Sequence, residues 1–246
     1  MGEQQALPAS PVRGRRLHAV APGFFKQVAI VAKKDLRIEL ATGEIVTTSG
    51  FFAVLVAVMA SLAFFAGQDA RRDVAPGVIW VSVAFSSVLA LSRTWQRERD
   101  DGALRGLLVS PLSRAAIFAG KAVGVAVFVS AVELVVVPVT AILFDLDLVR
   151  LSGPLALLLL AATPGIAASG TLFGAMTVRT RARDLVLAAV MFPLLAPCLL
   201  SGVAGTRALF DGASLFELRD YFSLLLLFGF VFVAGGLGLF ELVVEG

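Results

Sequence analysis

One cysteine, Cys198, occurs in 246 residues, so no intrachain disulfide holds this chain together. Charge is also scarce: Asp, Glu, Lys and Arg make up 16% of the residues, against about 25% in an average soluble domain. Apolar residues reach 58% and the mean hydropathy is +0.91. A water-soluble core of this size does not call for so much apolar surface, whereas a surface facing hydrocarbon does. The phosphate-cradling pattern G-x-x-x-x-G-K-[ST] is missing: Gly120-Lys121 is followed by Ala122, and no glycine stands five residues before Gly120. The chain therefore does not cradle ATP by that device. No cleavable signal is expected, because Pro8, Pro11, Pro22 and the basic Arg13, Arg15 and Arg16 have no apolar core behind them. Residues 1–23 read as a flexible cytoplasmic tail without apolar periodicity.

What the chain does have is six long apolar stretches, near 46–66, 74–92, 115–143, 154–178, 185–205 and 222–244. Each is close to the roughly 20 residues that a spanning helix needs. Backbone groups find no water in lipid, so these stretches are expected to be helical. Runs such as 155–162 lack the period-two alternation of a β-barrel strand. The expected fold is all-α: residues 24–246 form one polytopic transmembrane domain of six helices. Lys and Arg set its orientation. Fifteen of them fall before the first stretch, between the second and third, and between the fourth and fifth, and five fall on the opposite side. By the positive-inside rule both termini are expected in the cytoplasm.

Residues 24–41 read as an amphipathic helix ahead of the first span. Phe25, Val28, Ala29, Ala32 and Leu36 recur at helical spacing, and Lys33, Lys34, Arg37 and Glu39 lie elsewhere on the wheel. Such a basic amphipathic helix is expected to lie in the membrane interface. The connector 93–114 carries more pattern than a plain loop requires. Arg97, Glu98, Arg99, Asp100 and Asp101 form a charged start, and Gly102 breaks it. Leu104, Leu107, Leu108 and Leu112 then follow on one helical face, and Ser110-Pro111 punctuates the segment. A short helix with a leucine face can seat in a groove of another protein. On pattern alone the segment is either such a coupling element or a connector lying in the interface. Exchanging Leu104 and Leu107 for Asp is expected to disrupt docking without blocking insertion.

The stretch E-R-D-D-G-A-L-R-G-L-L-V-S-P-L-S-R-A-A-I-F-A-G-K (98–121) resembles the cytoplasmic motif of type-2 ABC transporter permeases. Three further stretches narrow the likeness: A-P-G-V-I-W-V-S (75–82), A-T-P-G-I-A-A-S-G-T-L-F-G-A-M-T-V (162–178) and L-A-A-V-M-F-P-L-L-A-P (187–197). In that order they resemble the CcmB family of cytochrome c maturation, known historically as haem exporter protein B, across roughly residues 24–240. The long tail and the acidic Glu241 and Glu245 depart from the family's usual ends. The resemblance implies a non-catalytic membrane subunit in the bacterial inner membrane. It implies a separate ABC ATPase (CcmA-like), a haem-handling membrane protein (CcmC-like), a small membrane subunit (CcmD-like) and, indirectly, a haem chaperone (CcmE-like). ATP would be bound by the partner, and its hydrolysis linked to release of the haem-loaded chaperone. Glu98, Asp100, Asp101, Gly102, Leu104, Leu107, Leu108, Ser110 and Pro111 are then the residues expected to couple to the ATPase. Haem is expected to be handled by partners: the single histidine, His18, lies in the tail, and Cys198, the span methionines and Tyr221 read as packing or interfacial residues. No metal site is expected.

Inside the spans, Glu133 is the one deep carboxylate. A charge there costs roughly 2.5–3.5 kcal/mol on insertion scales. It is either a switch or contact within the bundle or a neutral carboxyl bonded to a neighbouring helix. Lys121 is expected to snorkel to the interface. Pro76-Gly77, Pro138, Pro164-Gly165, Pro193 and Pro197 are candidate hinges, and Trp80 and Thr163 stand beside two of them. Gly170 and Gly174 permit close helix packing. Two other functions fit parts of the pattern: a type-2 ABC exporter for a drug or lipid-linked polymer, or an ATP-independent channel or secondary transporter. The near absence of intramembrane charge and of inverted repeats speaks against the latter.

Overall fold

The computed structural model describes residues 22–64, 68–100, 106, 107, 109–177 and 183–245. Most of the tail expected at 1–23 lies outside them. Seven helices are described: α1 (Phe24–Thr42), α2 (Glu44–Ala63), α3 (Gln68–Asp100), α4 (Arg114–Leu143), α5 (Leu148–Thr177), α6 (Arg183–Phe210) and α7 (Arg219–Glu245). The last six are long and apolar enough to cross a membrane. The chain is an all-α polytopic membrane protein.

All six expected spans are present, with four shifted ends. α3 continues through 93–100, which the sequence assigned to a loop, because Arg97 and Glu98 find partners on neighbouring helices. α5 begins at Leu148, six residues before the apolar stretch, where the Asp147 carboxylate accepts the Arg150 backbone N–H at 3.2 Å and satisfies an end group. α6 runs on to Phe210 rather than ending near 205. Helix α3 starts eight residues before Pro76, so Pro76-Gly77 is interior and not a helix start.

α3 and α5 are the most buried spans, and α2 and α7 the least. The main core gathers Ile79, Trp80, Val83, Leu91, Leu158, Ile166, Met191, Leu195, Cys198 and Leu225. Cys198 is buried there as a small apolar residue. The outer faces stay apolar, as with Phe51, Met59 and Leu62 on α2 and Leu226, Leu227 and Phe230 on α7. Patches of this extent are stable against hydrocarbon and not against water.

Small residues set the closest crossings. A side chain at Gly170 would overlap Leu91, and one at Gly174 would overlap the Trp95 indole. The four-residue spacing on α5 thus matches the four-residue spacing on α3, turn against turn. Gly174→Leu is expected to lower stability in detergent by about 1–3 kcal/mol, the usual cost of overpacking. Thermal unfolding of the purified chain checks this, and an unchanged midpoint would remove the close crossing.

α1 and α2 meet at Gly43, whose φ of 63° belongs to the left-handed region. Its N–H donates to the Glu39 carbonyl at 2.6 Å, closing α1 and turning the chain directly into α2. A glycine adopts this conformation without strain.

Candidate functional site

The face that α1 buries is partly polar. Gln27, Val31, Ala32, Asp35 and Glu39 point inward, whereas Phe25 and Ala29 are exposed. The reason lies on α4. A side chain at Gly120 would press on Val31 at 2.5 Å and on the Val28 carbonyl at 2.9 Å, and Gly124 faces Asp35. These glycines let α1 settle close enough for its polar groups to reach buried partners. Phe24, Phe25, Ile30, Ile38 and Leu40 remain on the outer side.

The first buried partner is Lys121, which corrects the snorkelling expectation. Its side chain is 1% exposed, and its ammonium lies 2.8 Å from Asp35 Oδ2 and bonds Glu98 Oε1 as well. Lys34 on α1 donates to the same Glu98 Oε1 at 2.7 Å and lies 3.1 Å from Asp35 Oδ1. Two cations and two carboxylates from α1, α3 and α4 therefore form one charge-balanced knot. Half-burial works against the Lys34 charge, but its hydrogen bond to Glu98 and the neighbouring Asp35 outweigh it and hold its pKa above the ordinary lysine value. A second set braces the α1–α2 corner. The Arg97 guanidinium donates to Glu39 Oε2 (3.2 Å), Thr42 Oγ1 (2.9 Å) and Glu44 Oε2 (3.0 Å). Glu39 Oε1 also accepts the Val46 N–H at 2.8 Å, at the start of α2.

The same helix holds the other end of segment 93–114. Gln27 Oε1 accepts the Ser113 N–H at 2.8 Å, and Ser113 caps α4 by accepting the Ala116 N–H on its Oγ at 3.2 Å. Glu98 lies near the start of segment 93–114 and Ser113 near its end, so α1 is bound at both ends. Between them Leu107 and Leu112 are partly buried against Trp95, Ile117, Phe118, Leu172, Phe240 and Val244. The inner part of the leucine face therefore covers the protein's own bundle. Ser110 closes a turn by donating from its N–H (3.3 Å) and its Oγ (2.6 Å) to the Leu107 carbonyl. Val109, which the pattern passed over, is 86% exposed, and Gly106 and Pro111 are exposed beside it. Asp101, Gly102, Leu104 and Leu108 lie outside the described residues, and Asp100 is the last residue of α3.

Deeper in the membrane, two candidates come together: Thr163 Oγ1 lies 2.9 Å from Glu133 Oε1. Trp80 donates from Nε1 to Thr206 Oγ1 at 2.8 Å and packs over Gly202, so it joins α3 to α6. Gly165 lies against Phe228 and Gly229 of α7, and Pro164 is exposed on the outer side of α5. These residues are not gathered into one site with Pro76-Gly77. Among the described residues no group of three or more His, Cys, Asp or Glu could hold a metal ion.

Lys34, Asp35 and Lys121 are the site residues that sequence reasoning missed. The available signal was charge in an unfavourable place: a lysine seven residues inside an apolar helix requires a counter-ion.

Residues 26–241 match the CcmB protein family. The chain belongs to the CcmB family. Among relatives, Heme exporter protein B of Bradyrhizobium diazoefficiens is 28% identical over 75% of this chain and 83% of its own length. The protein of the same name from Pseudomonas aeruginosa is 26% identical over 66% and 72%. That from Haemophilus influenzae is 26% identical over 69% and 76%. In this CcmB-family chain the match takes in α1, all six spans and the segment between α3 and α4.

Proposed function

We propose that the chain is the membrane permease subunit of an ABC complex in cytochrome c maturation, seated in the bacterial inner membrane with both termini in the cytoplasm. The family and the names of its relatives support the process, and the excess of Lys and Arg at the α1 end supports the orientation. A separate CcmA-like ATPase grips segment 93–114 on the side where Gly106, Val109 and Pro111 are exposed. A CcmC-like protein handles haem, a CcmD-like subunit assists, and hydrolysis of ATP drives release of the haem-loaded CcmE-like chaperone. This subunit binds neither ATP nor haem and catalyses nothing itself.

One observation carries the mechanical part of this reading. Both ends of the segment are hydrogen-bonded to α1, through Lys34–Glu98 and Gln27–Ser113, and Glu98 is also fixed to Lys121. A push on the segment therefore displaces α1, α3 and α4 together. A connector with loose ends would absorb it.

Purification of the tagged chain from a cytochrome c-producing bacterium tests the proposal. An ABC ATPase and a haem-handling membrane protein are expected to copurify, and ATP is expected to release the haem chaperone. Recovery without any ATPase, or solute movement by the chain alone in liposomes, would overturn it.

A further inference from the structure

Glu133 is 6% exposed and faces Thr163 across the α4–α5 contact. No ion pair among the described residues includes it. Cys198 on α6 is close enough to interact with it electrostatically but brings no positive charge.

The Thr163 hydroxyl settles where the proton belongs. Its Oγ1 is 2.8 Å from the Leu159 carbonyl oxygen and 2.9 Å from Glu133 Oε1. One hydroxyl proton serves one of these acceptors, and the carbonyl has no proton to offer. A single proton shared between the two acceptors leaves both bonds weak, whereas each contact is a full hydrogen bond when the carboxyl supplies the second proton. An ionised Glu133 would instead sit in an apolar interior with about four lone-pair sites and at most one shared donor.

We propose that Glu133 is a protonated latch, its carboxyl O–H donating to Thr163 Oγ1 and fastening α4 to α5 inside the membrane. The latch is placed at one of the two prolines inside α5. Pro164 follows Thr163 directly and lacks an N–H, so the Leu160 carbonyl loses its ladder partner. A hydrogen bond from α4 at that turn holds the interrupted helix in place. Glu133 is thus a positioning residue and also a modification site for lipid-soluble carbodiimides. In that reaction the acid proton passes to a carbodiimide nitrogen and the carboxyl oxygen bonds to the central carbon. The adduct then rearranges to an N-acylurea, so the whole reagent is added and nothing leaves. The inference goes beyond the proposed ABC role and does not depend on it.

Infrared difference spectroscopy of the chain in nanodiscs at neutral pH tests it, with Glu133→Gln and Thr163→Val as variants. The wild-type minus Glu133→Gln spectrum is expected to contain the C=O stretch of a protonated carboxyl. Thr163→Val is expected to move that band to higher frequency. Dicyclohexylcarbodiimide is expected to label the Glu133 peptide in the wild type and not in Glu133→Gln. Carboxylate stretches in the difference spectrum, or a C=O band that Thr163→Val leaves in place, would overturn the proposal. Should Glu133→Gln fail to assemble, the band shift in Thr163→Val decides alone.

Discussion

Lys121→Met is expected to lower the unfolding free energy of the chain in detergent by about 3–5 kcal/mol, the cost of leaving buried charge unpaired. Asp35 and Glu98 are both buried, and Lys121 is the buried cation that neutralises them. Lys34 remains, but it is one third exposed and reaches Glu98 and Asp35 from the outside. Methionine matches the length of the stem and isolates the charge. Adding Asp35→Asn and Glu98→Gln to Lys121→Met is expected to recover most of the loss, because no lone charge is then left inside. Unfolding in a denaturant series, read by helix content, checks both variants. A loss below about 1 kcal/mol for Lys121→Met would mean that water reaches the cluster. Because Lys34 is held above the ordinary value of 10.5, its contribution is complete at neutral pH. It is lost only as pH rises past that value, so stability from this pair is expected to be flat through the neutral range.

Val109→Asp is expected to weaken ATPase binding by about 30-fold or more, the effect of losing one hot-spot residue of roughly 2 kcal/mol. Val109 is 86% exposed and belongs to none of the buried clusters. A carboxylate there is solvated in the free chain and desolvated only on docking. The purified variant should therefore keep the wild-type melting temperature while ATPase recovery and cytochrome c yield fall. Leu107→Asp is expected to behave differently. Leu107 packs on the Trp95 and Phe118 cluster, so that change injures the fold as well and reports less cleanly on docking. Wild-type ATPase binding by Val109→Asp would remove this side of the segment from the interface.

The six spans were legible in the sequence because lipid leaves few solutions: about 20 apolar residues in a row must be helical. Glycine spacing was legible too, since Gly170 and Gly174 do seat a neighbouring helix. The pairing of Lys121 was not. Its partners lie 86 and 23 residues away in the chain, and nothing in local periodicity says that Asp35 and Glu98 converge on it. The inner face of α1 was not legible either: the wheel turns its apolar residues toward the membrane interface but does not say that Gly120 and Lys121 on α4 receive the side with Gln27 and Asp35. The end of α3 was misplaced for a related reason. Arg97 and Glu98 resemble a solvated loop until Glu39, Glu44 and Lys34 are brought beside them.

The notches at Gly170 and Gly174 carry a consequence for movement. Leu91 and Trp95 fit them like teeth in a rack, and a rack slips only by whole teeth, which at four residues on a helix means about 6 Å. Smaller displacements must carry α3 and α5 as a single rod. α7 packs closely along α5 and α2 along α3, so both would travel with that rod.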